Sequence, residues 1–248
     1  MGSLQGQNVV VVGGSRGVGR SIVEAALGEG ATVLAVARGA AALKELSWET
    51  SGVKTLAVDA TDETAPDAVF AALEPDVLVI CAGALAPSAP IQDQSWDDFS
   101  VNWEMDVKAS FLFCKAALQG RLKPGSRIVL ISSGAALTGG PPFAGGYAGA
   151  KRMQMFLAGH CQKESDRLGL DLRFMALAPA RIMPGTGIGD AGLDGFAAYL
   201  GIRPADVLAS MTDMQTPADV GRAVVALATS KLEGSSFAVS GSGLAAAA

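Results

Sequence analysis

The chain has 248 residues, of which 50% are hydrophobic and 17% are charged. This composition supplies a large core and excludes a disordered chain, and one open α/β sheet commonly occupies this length. With a net charge of −5 and a pI near 4.9, the chain lacks the clustered positive charge of a nucleic-acid-binding protein, so we expect no nucleic-acid partner.

Seven short apolar runs have the continuous hydrophobicity of strands that are covered on both faces. They are Asn8–Val12, Thr32–Ala37, Lys54–Val58, Asp76–Cys81, Arg127–Ser132, Asp171–Ala178 and Ser236–Val239. Segments with helical spacing lie between them: Val18–Leu27, Pro66–Leu73, Trp96–Leu118, Tyr147–Leu168 and Pro217–Thr229. This βαβα order predicts a single-domain Rossmann fold over residues 1–248. We expect a doubly wound, seven-stranded parallel sheet with helices on both faces, which binds a dinucleotide and carries the catalytic residues.

The first predicted strand leads through a glycine-rich turn into a helix. Gly13, Gly17 and Gly19 permit a tight turn and close approach to a pyrophosphate, whose charge the helix N-terminus favours. This context favours a dinucleotide site over a purely structural turn. The expected cofactor contacts in the turn are Gly13, Ser15, Arg16, Gly17, Val18 and Gly19.

The second predicted strand ends in Ala37-Arg38, about twenty residues after the glycines. An NAD site normally has Asp or Glu there, to bind the ribose 2′-hydroxyl. Here Arg38 and Arg16 can instead approach an adenosine 2′-phosphate with paired donors. The sequence therefore predicts NADP(H) as the cofactor. The alternative is that Arg38 points to solvent and the site does not discriminate.

Two stretches rich in Gly and Pro are predicted to be loops at the carboxyl ends of the strands, where open α/β sheets bind ligands: Thr138–Gly146 and Pro179–Gly195. They could also be surface insertions. Residues 185–200 are expected to form a substrate loop or lid. Five apolar side chains could cover the pocket or pack this segment onto the core: Met183, Ile188, Leu193, Phe196 and Tyr199.

A candidate reactive group follows the fifth predicted strand. Tyr147 and Lys151 are four residues apart in a predicted helix and share one face. A free phenol has a pKa of about 10, and an adjacent ammonium lowers it by favouring the phenolate. The Ser133 hydroxyl could hold a substrate oxygen while its charge changes. We expect Tyr147 to transfer the proton, although such a Tyr/Lys pair alone is more often an exposed helical pair.

Together these motifs resemble the short-chain dehydrogenase/reductase family in its classical form, over nearly the whole chain. The turn is similar to the family's TGxxxGxG, and the strongest match is the set Ser133, Tyr147 and Lys151. The resemblance implies an NADP(H)-dependent oxidoreductase that interconverts a ketone or aldehyde and an alcohol by hydride transfer, with Tyr147 as general acid/base and a small-molecule substrate. The alternative is a non-catalytic NADP(H)-binding sensor or regulatory subunit on the same fold, which has no chemical need for this set.

The resemblance also assigns further cofactor contacts. Asp59-Ala60 resembles the family's adenine-contacting pair, and Cys81-Ala82-Gly83 resembles its Asn-Asn-Ala-Gly stretch. Tyr147 and Lys151 would lie against the nicotinamide ribose, and the backbone around Ile182 would meet the carboxamide. The family resemblance, with the apolar faces of the predicted helices, further implies a homo-oligomer, either a tetramer or a dimer.

One departure from the family pattern concerns the catalytic set. Asp106 stands where the family typically has an Asn that bends a helix and supports a water relay to the Lys. An Asp can preserve the bend through its backbone carbonyl, but its charge would also shift the protonation equilibrium of Lys151. We assign Asp106 to the catalytic set. Asn102, one turn earlier, is a second candidate for the relay.

The cysteines and the single histidine argue against disulfides and metal sites. Cys81, Cys114 and Cys161 are odd in number, widely spaced and set in apolar runs, which is typical of reduced core residues. His160 has apolar neighbours and is interpreted as structural, so no metal site is expected. No charged-then-apolar leader precedes the first strand and no apolar run approaches the ~20 residues of a membrane helix, which predicts a cytoplasmic protein without membrane contact.

Overall fold

The computed structural model describes residues 2–85 and 87–247. These residues form eight strands: β1 (Asn8–Val12), β2 (Thr32–Ala37), β3 (Lys54–Ala57), β4 (Val77–Ile80), β5 (Arg127–Ile131), β6 (Arg173–Pro179), β7 (Ser236–Ser240) and β8 (Gly243–Ala246).

The α-helices are α1 (Gly17–Gly28), α2 (Ala40–Glu49), α3 (Ala65–Ala72), α4 (Trp96–Asn102), α5 (Lys108–Ala116), α6 (Ala135–Thr138), α7 (Gly145–Leu168), α8 (Gly187–Leu200), α9 (Pro204–Ser210) and α10 (Pro217–Thr229). Two π-helical segments adjoin α5, Trp103–Val107 before it and Ala117–Arg121 after it. Short 3₁₀ turns occur at Ile91–Asp93 and Pro142–Ala144. Across the described part of the chain, each helix is too short or too polar to cross a bilayer.

The strands lie in one sheet in the order β3-β2-β1-β4-β5-β6-β7-β8. The first seven are parallel, with β1 paired to both β2 and β4. The chain therefore winds outward in both directions from the boundary between β1 and β4. In doubly wound sheets the ligand crevice opens at this switch point, beyond the carboxyl ends of the strands. The predicted Rossmann fold is confirmed.

The predicted number of strands is wrong by one. After β7 the chain turns through Gly241 and Ser242, and β8 returns antiparallel, with Ser240 opposite Gly243. Three of the four residues of β8 are Gly or Ala, which have low β propensity, so the segment gives no strand signal in the sequence. Its pairing with β7 supplies the hydrogen bonds that stabilise it.

The sheet has a separate core on each face, because successive side chains of a strand point to opposite sides. Val9 belongs to the core that contains Ile22 of α1. Val10 belongs to the core that contains Phe113 of α5 and Ala158 of α7. All five side chains are at most 1% exposed. The resulting three layers hold the carboxyl ends of the strands in a fixed position relative to α1 and α7.

Two predicted segments differ from the structure. Trp96–Leu118, predicted as one helix, consists of α4, a π-helical segment, α5 and the start of a second π-helical segment. Pro179–Gly195, predicted as a loop, is helical from Gly187 onward. The Thr186 hydroxyl caps α8 by accepting the N–H of Gly189 at 3.0 Å, and Leu193 packs on Val207 of α9. Capping and packing thus overcome the low helix propensity of the glycines.

Candidate active site

The glycine-rich turn after β1 lies at the switch point, against the chain that follows β4. Gly13 has φ +90°, and the N–H groups of Gly13 and Gly14 donate to the Val36 carbonyl at 2.7 and 3.1 Å. A Cβ atom at Gly13 would lie 2.5 Å from the backbone nitrogen of Ala82. The turn therefore requires glycine at position 13. The structure brings the predicted turn together with the predicted Ala82-Gly83.

The N-terminus of α1 has the features of an anion site. Arg16 is the N-cap residue in an extended conformation, and within the described residues no side chain caps the helix and its first turn contains no acid. The backbone N–H groups of residues 17–19 are thus not engaged by a capping side chain, and the helix dipole favours negative charge there. These features fit the pyrophosphate of a dinucleotide.

Arg38 and Asp59 lie together at the end of the crevice predicted for the adenosine. Arg38 Nη1 is 3.8 Å from Asp59 Oδ2, and the two side chains are 58% and 44% exposed, so the ion pair is loose. The pKa of Asp59 is lowered chiefly by the hydrogen bond from the Thr61 N–H. Desolvation acts in the opposite direction, while the Thr61 hydroxyl and the charge of Arg38 lower the pKa further. Ala60 is buried next to Asp59. The Arg38 guanidinium can leave this loose pair for a phosphate.

β5 and α7 are joined where Ser133 leaves the sheet. The Ser132 hydroxyl donates to the Lys151 carbonyl at 2.7 Å, and Lys151 Nζ donates to the Ile131 carbonyl at 3.1 Å. Ser133 is the next residue, and its hydroxyl accepts the N–H of Ala135 at 3.2 Å. These bonds position Ser133 at the carboxyl end of β5, beside the helix that carries the predicted Tyr/Lys pair.

Lys151 is buried beside Tyr147. The residue is 4% exposed, and Nζ lies 5.7 Å from the centre of the Tyr147 ring. Burial alone would lower the pKa of Lys151, but the charges of Asp106 and Tyr147 outweigh burial, so its pKa is raised above the ordinary value. The ammonium therefore remains charged at neutral pH, next to the phenol that the sequence singled out.

Asp106 is fully buried in the π-helical segment Trp103–Val107 and lies 3.0 Å from Lys151 Nζ through Oδ2. Its other oxygen, Oδ1, accepts the N–H of Ala84 at 2.9 Å and the side-chain amide of Asn102 at 3.4 Å. Asn102 also donates to the Ala84 carbonyl at 3.1 Å. Of the two candidates from the sequence, Asp106 contacts the lysine and Asn102 braces Asp106.

Two buried residues of this site, Gln154 and Ser110, escaped the sequence analysis. Gln154 Oε1 accepts from Lys151 Nζ at 3.1 Å, and its Nε2 donates to the Ser110 hydroxyl at 2.8 Å. Ser110 in turn donates to the Asp106 carbonyl at 2.8 Å. We refer to Asp106, Ser110, Lys151 and Gln154 as the Lys151 cluster. A signal was available for Gln154, which lies three residues after Lys151 on the same helix face.

The chain after β6 lies beside the glycine-rich turn. A Cβ atom at Gly17 would lie 3.7 Å from Thr186. Ile182 is half-buried and packs, with Leu193 and Val207, in a small core between this segment and α9. The predicted carboxamide contact, Ile182, thus lies on a segment that approaches the glycine-rich turn.

An aromatic cluster connects α8 to the segment before Tyr147. The Phe143 ring lies 5.9 Å from that of Phe196 and 5.8 Å from that of Tyr199. Leu193, by contrast, is buried in the small core, and Ile188 is exposed. In the segment 185–200, some apolar side chains therefore pack onto α9, and others pack against Phe143, which lies four residues before Tyr147.

Known proteins resemble this chain in sequence. The family model for short chain dehydrogenase matches residues 7–188. A 2-keto-3-deoxy-L-fuconate dehydrogenase of Xanthomonas campestris is 35% identical over 144 residues, which are 56% of this chain and 47% of that protein. An L-xylulose reductase of Bos taurus is 30% identical over 129 residues, 52% of this chain and 53% of that protein.

A third relative, a 3beta-hydroxysteroid dehydrogenase of Mediterraneibacter gnavus, is 28% identical over 153 residues, 58% of this chain and 55% of that protein. The chain spans about half the length of the curated relatives it matches. None of these three is described as a sensor or a regulatory subunit.

Proposed function

The chain belongs to the short-chain dehydrogenase/reductase family, whose members are oxidoreductases that use nicotinamide cofactors, and we propose that it is an NADP(H)-dependent enzyme that interconverts a ketone or aldehyde and an alcohol. The observation that carries the proposal is the buried ammonium of Lys151, 5.7 Å from the Tyr147 ring. Both residues follow the carboxyl end of β5, at the edge of the sheet that also carries the dinucleotide turn.

In the proposed reaction Tyr147 carries the proton. During reduction its hydroxyl donates a proton to the carbonyl oxygen, and during oxidation its phenolate accepts the alcohol proton. Nicotinamide, when bound, supplies or accepts the hydride at the carbon atom. Ser133 orients the substrate oxygen by a hydrogen bond. Lys151 stabilises the phenolate by its charge and faces the ribose, and Asp106 compensates Lys151.

The residues around the switch point would hold the cofactor. The turn at residues 13–19 would cradle the pyrophosphate, and the pair Asp59-Ala60 would contact the adenine. The pair Ala82-Gly83 and the backbone at Ile182 would flank the nicotinamide half. These assignments are supported by the contact of Gly13 with Ala82 and by the uncapped N-terminus of α1 in the described chain.

We propose NADP(H) over NAD(H) because two guanidinium groups can reach a 2′-phosphate. Arg16 is exposed at the N-cap of α1, and Arg38 is held only by the loose ion pair with Asp59. A phosphate dianion offers Arg38 a stronger, bidentate partner than a carboxylate 3.8 Å away. The N-terminal end of α2 follows directly and adds a favourable dipole.

The substrate class is an apolar or mixed carbonyl compound. Support comes from Phe143, four residues before Tyr147, whose ring packs against those of Phe196 and Tyr199. Residues 185–200, mostly helix α8, would act as the lid over this side of the pocket. The relatives named above act, by their names, on compounds as different as sugars and a steroid, so their substrates are not carried over to this chain.

We further propose a homo-oligomer, a dimer or a tetramer, in which all 248 residues form one dinucleotide-binding and catalytic domain. Phe111 of α5 and Phe156 of α7 are 50% and 59% exposed, which is unusual for phenylalanine and favours burial against another copy. All three cysteines are free thiols in the described chain, which supports a reducing compartment such as the cytoplasm.

Tyr147→Phe tests the proposed proton transfer. The wild type is first screened with ketones, aldehydes and acyl thioesters for NADPH oxidation at 340 nm. We expect the variant to lose roughly 10²- to 10⁴-fold in kcat on the best substrate, because a positioned general acid contributes that much. NADPH affinity, measured by fluorescence, should change little.

The control for this experiment is Trp48→Phe, an aromatic substitution at a 75% exposed position of α2. It should keep the wild-type kcat. Wild-type turnover in Tyr147→Phe contradicts the proposal, as does a wild-type protein that binds NADPH and turns over no carbonyl compound.

A further inference from the structure

The Lys151 ammonium is surrounded by three oxygen atoms of the protein. Nζ lies 3.1 Å from the Ile131 carbonyl, 3.1 Å from Gln154 Oε1 and 3.0 Å from Asp106 Oδ2. Nζ donates a hydrogen bond to each of the first two oxygens, and Asp106 Oδ2, which accepts no hydrogen bond from the described residues, faces it as an ion-pair partner. The Lys151 cluster therefore compensates the charge of the lysine from within the protein.

The side chain of Asp106 faces donor groups. The Ala84 N–H and the Asn102 amide donate to Oδ1, and the Lys151 ammonium lies 3.0 Å from Oδ2, which accepts no hydrogen bond from the described residues. Asp106 and Lys151 therefore form a buried ion pair, in which the two charges offset each other.

Four titratable groups from three elements meet at this point. Tyr147 and Lys151 come from α7, Asp106 from the π-helical segment, and Cys81 from the end of β4. Burial raises the pKa of the Cys81 thiol to about 11, so the thiol adds no charge near neutral pH. Among the described residues, Asp106 is thus the carboxylate that opposes Lys151 in front of the Tyr147 ring.

We infer that Asp106 is a positioning residue that offsets the field of Lys151 at Tyr147 and so keeps Tyr147 in its proton-bearing form. The inference rests on the proposed function and adds the preferred direction: the site reduces carbonyl groups near neutral pH and oxidises alcohols only at alkaline pH. The physical reason is that an opposite charge 3.0 Å from the ammonium weakens the attraction that would stabilise a phenolate.

The two directions differ in the form of Tyr147 that they require. In reduction the hydride forms a C–H bond, the Tyr147 O–H bond breaks as the substrate O–H bond forms, and solvent then returns one proton to the phenolate. In oxidation a proton-free Tyr147 takes the hydroxyl proton while the hydride leaves the carbon for the oxidised nicotinamide. A neutral Lys151–Asp106 pair therefore favours the first reaction until alkaline pH removes the proton from Tyr147.

The test compares the pH dependence of the wild type and Asp106→Asn, saturated with NADP(H). Wild-type oxidation of the alcohol identified in the screen should increase toward alkaline pH, and the midpoint of this increase is the reference. In the variant the midpoint should fall by at least about one pH unit. An unchanged midpoint overturns the inference. Wild-type oxidation that is already maximal at about pH 7 also overturns the inference, and this measurement requires no variant.

A second readout is independent of turnover. The chain has two tyrosines, Tyr147 and Tyr199, so 13Cζ labelling gives two NMR signals, which Tyr199→Phe assigns. In Asp106→Asn the Tyr147 signal should change at a pH lower by at least about one unit. If this variant does not fold, Asp106→Ser removes the same charge and leaves room for water.

Gln154→Met is the matched control, because it disrupts the Lys151 cluster without changing its charge. It should lower the midpoint of thermal unfolding and leave the pH midpoint of oxidation within a few tenths of a unit. An equal pH shift in both variants would show that packing, and not charge, sets the profile. The outcomes separate the two proposals: wild-type turnover in Tyr147→Phe removes the proposed function, whereas an unshifted Asp106→Asn that still reduces carbonyls removes only this inference.

Discussion

Gly83 lies directly against the carboxylate of Asp106: a Cβ atom at Gly83 would lie 2.9 Å from Asp106 Oδ2, the oxygen that pairs with Lys151. The same atom would lie 3.2 Å from Cγ, so the whole carboxyl group is in contact. The absence of a side chain after β4 is therefore part of what keeps the ion pair in place.

Gly83→Ala should displace Asp106 from Lys151. We expect a loss of about 1–3 kcal/mol in the free energy of unfolding from overpacking, and at least a roughly tenfold lower kcat for reduction from the misplaced cluster. Urea unfolding and NADPH oxidation measure the two effects. Gly28→Ala, at the end of α1, is the control, since apart from its neighbours along the helix no described atom lies within 4 Å of the added Cβ. Equal behaviour of the two variants would refute the prediction.

Ser110→Ala should destabilise the protein although it removes only one hydroxyl. The change takes away the acceptor of Gln154 Nε2 and the donor to the Asp106 carbonyl, both in the buried core. Leaving such groups unsatisfied costs about 1–3 kcal/mol, which urea unfolding can resolve. Ser47→Ala, at an exposed position of α2, should change stability by less than about 0.5 kcal/mol. A loss in Ser110→Ala no larger than in this control would contradict the prediction.

Cys81 should make the protein less stable at alkaline pH. Burial chiefly raises the pKa of its thiol from 9.0 to about 11, against the opposing charge of Lys151. Because the folded state binds this proton more tightly than the unfolded state, its contribution is complete below about pH 9 and is lost as the pH rises toward about 11. The loss is at most about 3 kcal/mol.

The measurement for Cys81 is urea unfolding of the wild type and Cys81→Ala between about pH 7 and 10.5. The wild type should lose more stability than the variant above about pH 9, and the difference between the two should be constant below it. A difference that stays constant over the whole range would mean that the thiol has the same affinity for its proton in both states.

Arg38→Ala should weaken NADPH binding and leave NADH binding nearly unchanged. A charge-assisted hydrogen bond to a phosphate contributes about 1.5–3 kcal/mol, so Kd for NADPH should rise roughly tenfold to a hundredfold. Lys231→Ala is the control, because it also removes one positive charge. Lys231 lies far from the proposed phosphate site: the carbonyl of the preceding residue, Ser230, accepts a hydrogen bond from Arg127 at the amino end of β5, on the opposite edge of the sheet. Equal weakening for NADPH and NADH would show that Arg38 does not recognise the 2′-phosphate.

The parts of the fold that were predictable from sequence are those with strong local signals. The bounds of β1, β2 and α10 agree with the sequence analysis at both ends. After a polar first residue, β1 and β2 are unbroken runs of apolar residues that include several valines. α10 begins at a capping box formed by Thr216 and Asp219, with Pro217 as its first residue. α8 was missed because four of its residues are glycine, and only its packing on α9 explains the helix.

The same distinction between local and non-local signals applies to the candidate site. Tyr147 and Lys151 are neighbours on one helix, so their spacing predicts their proximity. The ion pair between Lys151 and Asp106 joins residues 45 positions apart, and the Gln154–Ser110 bond spans 44. No local pattern encodes such contacts, because they depend on how α7 packs against the π-helical segment and α5. The resemblance showed that position 106 departs from the family pattern, but only the fold identifies Lys151 as the ion-pair partner of Asp106.

The π-helical segment Trp103–Val107 has a consequence for how this site can change. A π turn contains about one residue more than an α turn, and each residue of an α-helix advances it by about 100°. Deleting one residue there would rewind the backbone to a regular helix and swing Asp106 out of register with α5 by about that angle, although every other side chain would be conserved. The location of this carboxylate is thus encoded in chain length, and a single-codon deletion would relocate it more thoroughly than most substitutions could.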